Sequence, residues 1–435
     1  MKRAIYCLAA CFSSTIALSA STELTYWDFL GGGDGIRMKQ IVSEFNKSQT
    51  EIHVNQSTLT WGEPFYTKVH TAVVAGQTPD VMTYHLSHFA AGIMEKDLRP
   101  ISTEELAQAG LKASDFQKSL IDRSLELSKT YGNTDQLFGV PLDSHMLVLY
   151  YNKTVLQKAG ALGSDGKPTG LDGIDAFTKM LGTVKEKTHL IPVSANVYSE
   201  DPASLWRMWY TFFKQQNGDF LKNGQLSFDD VTNQGTKSLQ VLTDWTKQGL
   251  IPKNTGYSSM VALFSAGRAA FMINGNWEVP TMVDLKKGGK LPFEYGVAPF
   301  PKLFENQDTW ADSHQLAIPN DQKKPASPEK VAAALKFIAY VVKQVTWAGG
   351  GHIPAYLPVQ ESEEYKQMVP NNEYSAEGAK NVVFEPPLPI FGVGGPTFSP
   401  ISNFLVPAAN GQLPVDQAIK KFTAELEGFA KQAQK

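Results

Sequence analysis

Short apolar segments with strand-like and helix-like spacing alternate through the first part of the chain. Leu24–Phe29, Ile52–Val54 and Val81–Tyr84 have the pattern of strands. Between them, apolar residues recur at helical spacing at Met38, Ile41, Val42 and Phe45, and then at Phe65, Val69, Ala72 and Val73. Strands and helices that alternate at such short intervals specify right-handed crossovers and a mainly parallel sheet.

The loops that follow these strands are the first candidate binding region. Ligands bind outside the carboxyl ends of the strands in open sheets, so we expect Trp27–Asp34, Trp61–Glu63 and Tyr84–His88 to share one rim. The glycine-rich loop Gly31–Gly35 lacks both GxGxxG spacing and a following Lys-Ser/Thr, which argues against nucleotide binding. Its backbone N–H groups could still bind hydroxyls or an anionic substituent, and Asp34 can cap the next helix.

The stretch Gly139–Lys153 has the pattern of a crossing between two lobes. Pro141 permits an extended backbone but not a central strand, whereas Met146–Tyr151 is a continuous apolar run typical of a strand buried on both faces. Asp143 and His145 lie between these two parts. Polar residues at such a junction are candidates for a small-molecule site.

The remainder of the chain predicts a second, more helical lobe with two further crossings. Tyr295–Pro301 is extended and punctuated by proline, like the first junction, and we interpret it as the return crossing. A long apolar helix from about Pro328 ends near Trp347, and Gly351–Ala355 then forms the third crossing. We therefore assign residues 21–140 plus 298–350 to the N-terminal lobe, and 141–297 plus 351–435 to the C-terminal lobe.

Composition and charge remove several classes of function. The chain has 435 residues, a hydrophobic content of 42%, and 40 Lys and Arg residues against 43 Asp and Glu. The net charge of -3 comes with no basic face or tail, so we expect no nucleic-acid partner. No segment after the N-terminus approaches 18 uninterrupted apolar residues, so we expect a soluble mature protein.

Residues 1–20 have the pattern of a cleaved secretory signal: Lys2 and Arg3, an apolar stretch to Leu18, and then small residues. Both cysteines, Cys7 and Cys11, fall inside it, so disulfide, thiolate-metal and cysteine-nucleophile chemistry are not expected in the mature chain. The sequence before Cys11 also resembles a lipobox. The main expectation is therefore a periplasmic protein with its signal removed, and lipid anchoring at Cys11 is the alternative.

Segments spread over nearly the whole chain carry a family resemblance. They are Gly76–Val81, Gly139–Pro141 through Leu149–Lys153, Phe264–Met272 leading to Gly275–Trp277, Tyr295–Pro301, and Gly351–Pro354. In order and spacing these segments resemble the solute-binding proteins of bacterial ABC transporters, in the carbohydrate-binding family that includes maltose-binding protein. Asp143-Ser144-His145 carries a histidine where small hydroxyl residues or Asp are more usual.

The resemblance implies an α/β, two-lobed periplasmic-binding-protein fold with three hinge crossings and a ligand cleft between the lobes. It implies a high-affinity receptor that binds a carbohydrate, an oligosaccharide or a sugar derivative, and delivers it to an ABC import permease by hinge closure. No catalytic residue, metal or cofactor is expected, and the protein should be a monomer. The histidine at position 145 differs from the usual family pattern, and this difference puts the identity of the ligand in question but not the family.

Sugars present flat apolar faces and many hydroxyls, so their sites need aromatic platforms and hydrogen-bonding side chains. Loop positions past strand ends favour Trp27, Trp61, Trp277 and Trp310 as platforms, whereas helical spacing leaves core packing open for Trp206 and Trp209. The polar candidates are Glu63, Asp80, His85, Asp143, His145, Asn274, Gly275, Asp312, His314 and His352. Asp80 could instead cap a turn, and His85 with His88 lacks a third nearby metal ligand.

The sequence contains no GxSxG elbow, no HExxH motif and no cysteine nucleophile, so we do not expect an enzyme. A pair of carboxylates of the glycosidase type can lie far apart in a chain. Two alternatives therefore stay open: a secreted glycan-active hydrolase, and a sensory sugar-binding protein without a permease.

Overall fold

The computed structural model describes residues 21–433, so the predicted signal segment and Cys11 lie outside the described residues. The strands in this range are β1 (Thr22–Asp28), β2 (Ile52–Thr58), β3 (Val81–His85), β4 (Val140–Pro141), β5 (Asp143–Asn152), β6 (Ile191–Ser194), β7 (Leu221–Lys222), β8 (Gln225–Leu226), β9 (Ala269–Gly275), β10 (Tyr295–Pro299), β11 (Thr309–Asp312), β12 (His314–Ala317), β13 (Ile353–Pro354) and β14 (Val382–Val383).

The α-helices surround the sheets. They are α1 (Gly32–Ser48), α2 (Glu63–Ala75), α3 (Phe89–Met94), α4 (Thr103–Gln108), α5 (Lys118–Gly132), α6 (Lys153–Ala159), α7 (Ile174–Thr188), α8 (Ala203–Gln215), α9 (Thr236–Lys247), α10 (Tyr257–Ser265), α11 (Val279–Lys287), α12 (Pro328–Val342), α13 (Leu357–Gln360), α14 (Glu363–Lys366), α15 (Asn371–Gly378), α16 (Phe398–Pro400), α17 (Val406–Ala409) and α18 (Val415–Ala433). Within residues 21–433, none of them is long and apolar enough to cross a membrane.

Local sequence signals explain the ends of the first helices. α2 has a proline in its first turn and ends at Gly76, whose φ of 72° is left-handed and favours glycine. α1 begins at Gly32 with Gly31 as its N-cap, so it starts earlier than a cap at Asp34 would place it. Asp34 lies instead in the first turn, where a carboxylate interacts favourably with the helix dipole.

The first sheet has the strand order β2-β1-β3-β12-β4. β1 pairs in parallel with β2 and β3, as the alternating pattern predicted, while β12 runs antiparallel between β3 and β4. A hydrophobic core that includes Tyr26, Phe65 and Phe337 packs around this sheet. These elements form the first lobe.

The second sheet has the order β14-β11-β5-β9-β6 and centres on β5, whose 10 residues are all buried. β9 pairs with one edge of β5. Along the other edge, β13, β11 and β10 pair with successive parts of β5, all antiparallel to it. Separate cores, one around Trp209 and Phe422 and another around Tyr150 and Met272, cover this sheet. The α/β, two-lobed architecture predicted from the sequence is therefore confirmed.

The chain passes between the sheets at places that differ in part from the prediction. It leaves the first sheet at Leu142, between β4 and β5, which agrees with the first predicted crossing. The predicted return at Tyr295–Pro301 is wrong, because β10 pairs with β5 and so belongs to the second sheet. The return lies at Ser313, between β11 and β12, since proline marks the end of a strand without requiring a change of lobe. The third passage leads into β13 after Gly351.

Candidate functional site

A cavity of about 340 Å³ lies between the lobes, and side chains of both lobes line it. The first lobe contributes the ends of its parallel strands and its return strand, through Phe29, Leu30, Gly31, Asp34, Trp61, His85 and His314. The second lobe contributes His145, Asp201, Ser204, Arg207, Tyr257 and Trp277. The loops after β1 and β2 and the end of β3 therefore share one rim, as expected for parallel strands.

Asp143 is the centre of a buried hydrogen-bond network beside this cavity. Its Oδ1 accepts hydrogen bonds from His145 Nδ1 at 3.1 Å and from the His314 backbone N–H at 3.0 Å. Its Oδ2 accepts from His314 Nδ1 at 2.8 Å and from Trp347 Nε1 at 2.8 Å. Asp143 is 0% exposed, so these four donors replace water around the carboxylate.

Asp143 and His314 form a buried ion pair. Burial opposes ionisation of both groups, but the charge of each stabilises the charge of the other. The pKa of Asp143 is consequently well below its usual value, and the pKa of His314 is raised. An ionised Asp143 can only accept hydrogen bonds, so both imidazoles that contact it carry their protons at Nδ1.

The other two histidines in the cavity wall are neutral. Burial lowers the pKa of His145 to about 3, and burial is also the main cause of a strongly lowered pKa at His85. The His85 ring stacks on Phe29 with 4.4 Å between centroids, and its Nδ1 lies 2.6 Å from the Tyr66 hydroxyl oxygen. Neutral imidazoles at a cavity can hydrogen-bond to ligand hydroxyls.

His352 lies against the same network without completing it. Its ring stacks on Trp347 at 4.7 Å, and its Nδ1 is 3.7 Å from Asp143 Oδ2, too far for a hydrogen bond. One ligand atom each from Asp143, His145, His314 and His352 would fit within 4.8 Å of the others, as a metal site requires. Both oxygens of Asp143 are already occupied by N–H donors, however, so we interpret the cluster as a hydrogen-bonded network that joins the three crossings.

Arg207, which the sequence interpretation missed, occupies the second-lobe wall of the cavity. Its guanidinium carbon lies over the rings of Trp310, Trp277 and Trp61, at 4.5, 4.7 and 5.8 Å from their centroids. Arg207 is 8% exposed, and burial lowers its pKa. The only available signal was a basic residue within a helix whose other side chains are mostly apolar.

Five predicted site residues line the cavity: Trp61, His85, His145, Trp277 and His314. Trp277 is held in place from two sides. Its Nε1 donates to the Tyr257 hydroxyl at 3.0 Å, and a Cβ on Gly275 would lie 1.9 Å from its ring. Gly275 therefore contributes the close approach that lets the indole pack on the backbone.

Other predicted residues support the wall from behind. Asn274 Nδ2 donates to the Tyr257 hydroxyl at 3.2 Å, and Trp310 Nε1 donates to Glu385 Oε1 at 2.7 Å. Asp312 accepts from the backbone N–H groups of Ser87 at 3.0 Å and Ser313 at 2.8 Å, and burial raises its pKa to about 6. Asp143 and His352 belong to this supporting layer as well.

Trp206 and Trp209 belong to the core of the second lobe, which corrects their selection as site residues. They are 1% and 0% exposed, and their rings stack on each other at 5.2 Å. Trp206 Nε1 donates to Glu385, and Trp209 Nε1 donates to the carbonyl of Gly235. Helical spacing placed them on one buried face, and that face points away from the cavity.

Trp27, Glu63 and Asp80 lie outside the lining of this cavity, although Glu63 lines an adjoining cavity together with Trp61 and Asp201. Trp27 alternates with the buried Asp28 along β1, so its ring faces Lys68 instead, 5.2 Å from Nζ. Asp80 precedes β3, at the opposite end of that strand from His85. Glu63 is exposed at the start of α2.

The family described as bacterial extracellular solute-binding protein matches residues 33–344. The arabinooligosaccharide-binding protein of Bacillus subtilis (strain 168) is 24% identical over 374 residues, covering 83% of this chain and 79% of the relative. The sn-glycerol-3-phosphate-binding periplasmic protein of Yersinia pestis bv. Antiqua (strain Antiqua) is 22% identical over 404 residues, covering 88% and 87%.

Solved structures show the same fold. The GacH receptor of Streptomyces glaucescens GLA.O superposes with a TM-score of 0.77 at 20% identity, covering 95% of this chain and 99% of that one. The maltose-bound MalE3 of T. maritima also has a TM-score of 0.77 at 20% identity, covering 94% and 100%. The family match spans most of the chain, and the protein belongs to the bacterial extracellular solute-binding proteins.

Proposed function

We propose that this protein is the carbohydrate receptor of a bacterial ABC importer. The observation that carries the proposal is the cavity between the lobes, in which aromatic faces and hydrogen-bonding groups from both lobes converge. Trp61, which is 38% exposed, supplies an apolar face for a sugar ring, while His85, His145 and Asp201 supply partners for hydroxyls. Relatives named for oligosaccharide binding support the ligand class.

Ligand binding is tested by thermal shift and calorimetry with mono-, di- and trisaccharides, sugar alcohols and sugar phosphates. A ligand at a hundred times its dissociation constant should stabilise the native state by about 2.7 kcal/mol if only that state binds. Failure of every sugar and sugar derivative to shift the melting temperature would contradict the proposal.

We further propose that the ligand closes the two lobes around the Asp143 network, because the three crossings meet there and the lining belongs to both lobes. Small-angle scattering should then show a smaller radius of gyration with a bound sugar than without it. The lobe boundaries at 140/141, 297/298 and 350/351 were predicted from sequence. We propose to move the second one to Ser313, where the chain changes sheets.

Binding without turnover separates a receptor from a hydrolase. Relatives described as binding proteins support a role without catalysis. Asp34 and Asp201 both line the cavity and are the carboxylates that a hydrolase would use there. For a receptor, we expect the bound oligosaccharide to be recovered intact after long incubation. Release of smaller sugars would contradict the proposal that the protein binds its ligand without hydrolysing it. Loss of uptake of the bound sugar on deletion of the chain would distinguish an import receptor from a purely sensory protein.

Export and assembly are proposals of the same kind. The N-terminal pattern supports a periplasmic protein that loses residues 1–20, and mass spectrometry of the mature N-terminus checks the cleavage site. Attachment of lipid at Cys11, abolished by Cys11→Ala, would favour the anchored alternative. We expect a monomer by light scattering, partnered only by its permease.

A further inference from the structure

We propose that the ligand carries an anionic group, a carboxylate or a phosphate, that binds the guanidinium of Arg207. The inference rests on the proposed receptor function and narrows its ligand class to acidic sugars and sugar phosphates. It assigns Arg207 as the residue that selects such ligands against neutral sugars of the same shape.

The first support is that the guanidinium of Arg207 has no hydrogen-bond partner among the described residues. Arg207 is 8% exposed and lines the cavity, yet its N–H groups make no hydrogen bond, and no carboxylate oxygen lies within 4.0 Å, among residues 21–433. None of its nitrogens is fully buried, so these donors face the cavity and not the protein interior. Charges that are largely removed from water are normally paired and hydrogen-bonded in proteins. The cavity is the direction from which an acceptor can come.

Three acids, Asp201, Glu385 and Asp312, act on the charge of Arg207 without a direct contact, and each accepts hydrogen bonds from other donors. Glu385 Oε1 accepts from Trp206 and Trp310 at 2.8 and 2.7 Å, and its Oε2 accepts from the Gly392 N–H at 2.9 Å. Asp201 Oδ2 accepts from Asn196 Nδ2 at 2.7 Å. Asp312 accepts from Ser87 and Ser313. These carboxylates stabilise the charge of the guanidinium at a distance and leave its donors free.

The indole rings position the guanidinium without using those donors. Trp310 and Trp277 lie 4.5 and 4.7 Å from the guanidinium carbon, in cation–π contacts that involve ring faces. The N–H groups lie in the plane of the guanidinium, where they match the two oxygens of a carboxylate or phosphate. A bidentate, charge-assisted contact is stronger than a contact with neutral hydroxyls.

Arg207 is the cation of the cavity lining that an anionic substituent can pair with, because the histidines of the lining are neutral or already paired. The positive charge of His314 is neutralised by Asp143, and His85 and His145 are uncharged. Asp34 and Asp201 also line the cavity, and their carboxylates repel an anion but accept hydrogen bonds from hydroxyls. The cavity therefore matches a ligand with hydroxyls and one anionic substituent.

Calorimetric titration of the full chain with matched probes tests this. D-glucuronate, D-galacturonate and their short oligomers are compared with D-glucose, D-galactose and the corresponding neutral oligomers. D-glucose 6-phosphate separates a phosphate from a carboxylate. We expect at least one anionic probe to bind about 10- to 100-fold more tightly than its neutral counterpart, the range for hydrogen bonds to a charged group.

The possible outcomes separate this inference from the proposed function. Equal or tighter binding of the neutral probes overturns the inference and leaves a sugar receptor in which Arg207 contacts hydroxyls. Failure of every anionic probe to bind also overturns it, whereas the proposed function falls only if every sugar and sugar derivative of the wider thermal-shift panel fails as well.

Variants provide an independent readout. Arg207→Lys keeps the charge but removes the planar pair of N–H donors, so the preference for the anionic probe should fall several-fold. Arg207→Met removes the charge as well and should abolish the preference. Arg268→Lys, a surface substitution, is the matched control. Circular dichroism checks that the variants fold. If they do not, the titrations of the wild-type protein with anionic and neutral probes still test the inference. An unchanged preference in folded Arg207→Met overturns the inference.

Discussion

The Arg37 guanidinium donates to both carboxylate oxygens of Asp284, with both N–O distances at 2.9 Å. Arg37 lies on α1 in the first lobe and Asp284 on α11 in the second, so this ion pair joins the lobes on the surface. The Arg37 side chain also lowers the pKa of Asp284, chiefly through the hydrogen bond. The pair therefore favours the arrangement in which the lobes enclose the cavity.

Removal of this ion pair should weaken ligand binding without unfolding either lobe. The Asp284 side chain is 47% exposed, so solvent screens the pair and we expect Arg37→Met to raise the dissociation constant about two- to fivefold. Lys336→Met is the control, because Lys336 and Glu51 form an exposed pair within the first lobe. Equal affinities for the two variants, measured by calorimetry, would show that the Arg37 pair does not stabilise the closed arrangement.

Trp61 should contribute to affinity but little to stability. Its indole is 38% exposed at the cavity, so Trp61→Ala removes a face for a sugar ring while leaving the core intact. We expect about 3- to 10-fold weaker binding, the range for aromatic contacts beyond area burial. Trp27→Ala, which removes an indole outside the cavity, should leave affinity unchanged, and the reverse result would place the ligand elsewhere.

Asp143 should be a stability residue more than an affinity residue. Asp143→Asn preserves the shape of the side chain but leaves the positive charge of His314 buried without its partner. We expect a loss of about 3–5 kcal/mol in the free energy of unfolding, measured by urea denaturation. Asp122→Asn, which breaks the exposed pair with Lys118, should cost less than about 1 kcal/mol. Similar losses in the two variants would mean that the buried pair is not formed.

His88 should make stability depend on pH. Burial lowers its pKa to about 4, and its ring stacks on Tyr66 at 3.7 Å. Below about pH 6.5 the unfolded chain binds a proton here that the native protein excludes, so native stability falls as the pH falls towards 4. The loss should reach about 3 kcal/mol near pH 4.

His88→Phe isolates this contribution, because the aromatic stacking is kept while the titrating group is removed. The difference in unfolding free energy between variant and wild type should grow in favour of the variant from pH 6.5 to pH 4. It should be constant above pH 7. A difference independent of pH would show that His88 titrates normally.

Much of the architecture was predictable because apolar spacing reports burial directly. The run Met146–Tyr151 indicated a strand buried on both faces, and β5 has this environment. The loops after β1 and β2 were predicted to meet the end of β3, and Gly31, Trp61 and His85 line one cavity. The carboxyl ends of parallel strands lie at the same edge of the sheet, so the local pattern of strands and helices was enough to predict that these loops meet.

The orientation of individual side chains was less predictable. Trp206 and Trp209 share a buried helical face with spacing that fits core or site equally well, whereas Arg207 between them points to the cavity. One residue along a helix turns the side chain by about 100°, so the direction depends on how α8 packs and not on its composition.

The sequence by itself determined the strands and helices, the two lobes and the polar character of their first crossing, because these follow from periodicity and turn residues within short segments. Only the tertiary structure decided where the chain returns and which polar groups meet. Asp143 and His314 are 171 positions apart. Arg207 contacts the indole of Trp61 from the first lobe and that of Trp277 from the second. Such contacts depend on the packing of distant segments, so no local pattern of apolar and polar residues specifies them.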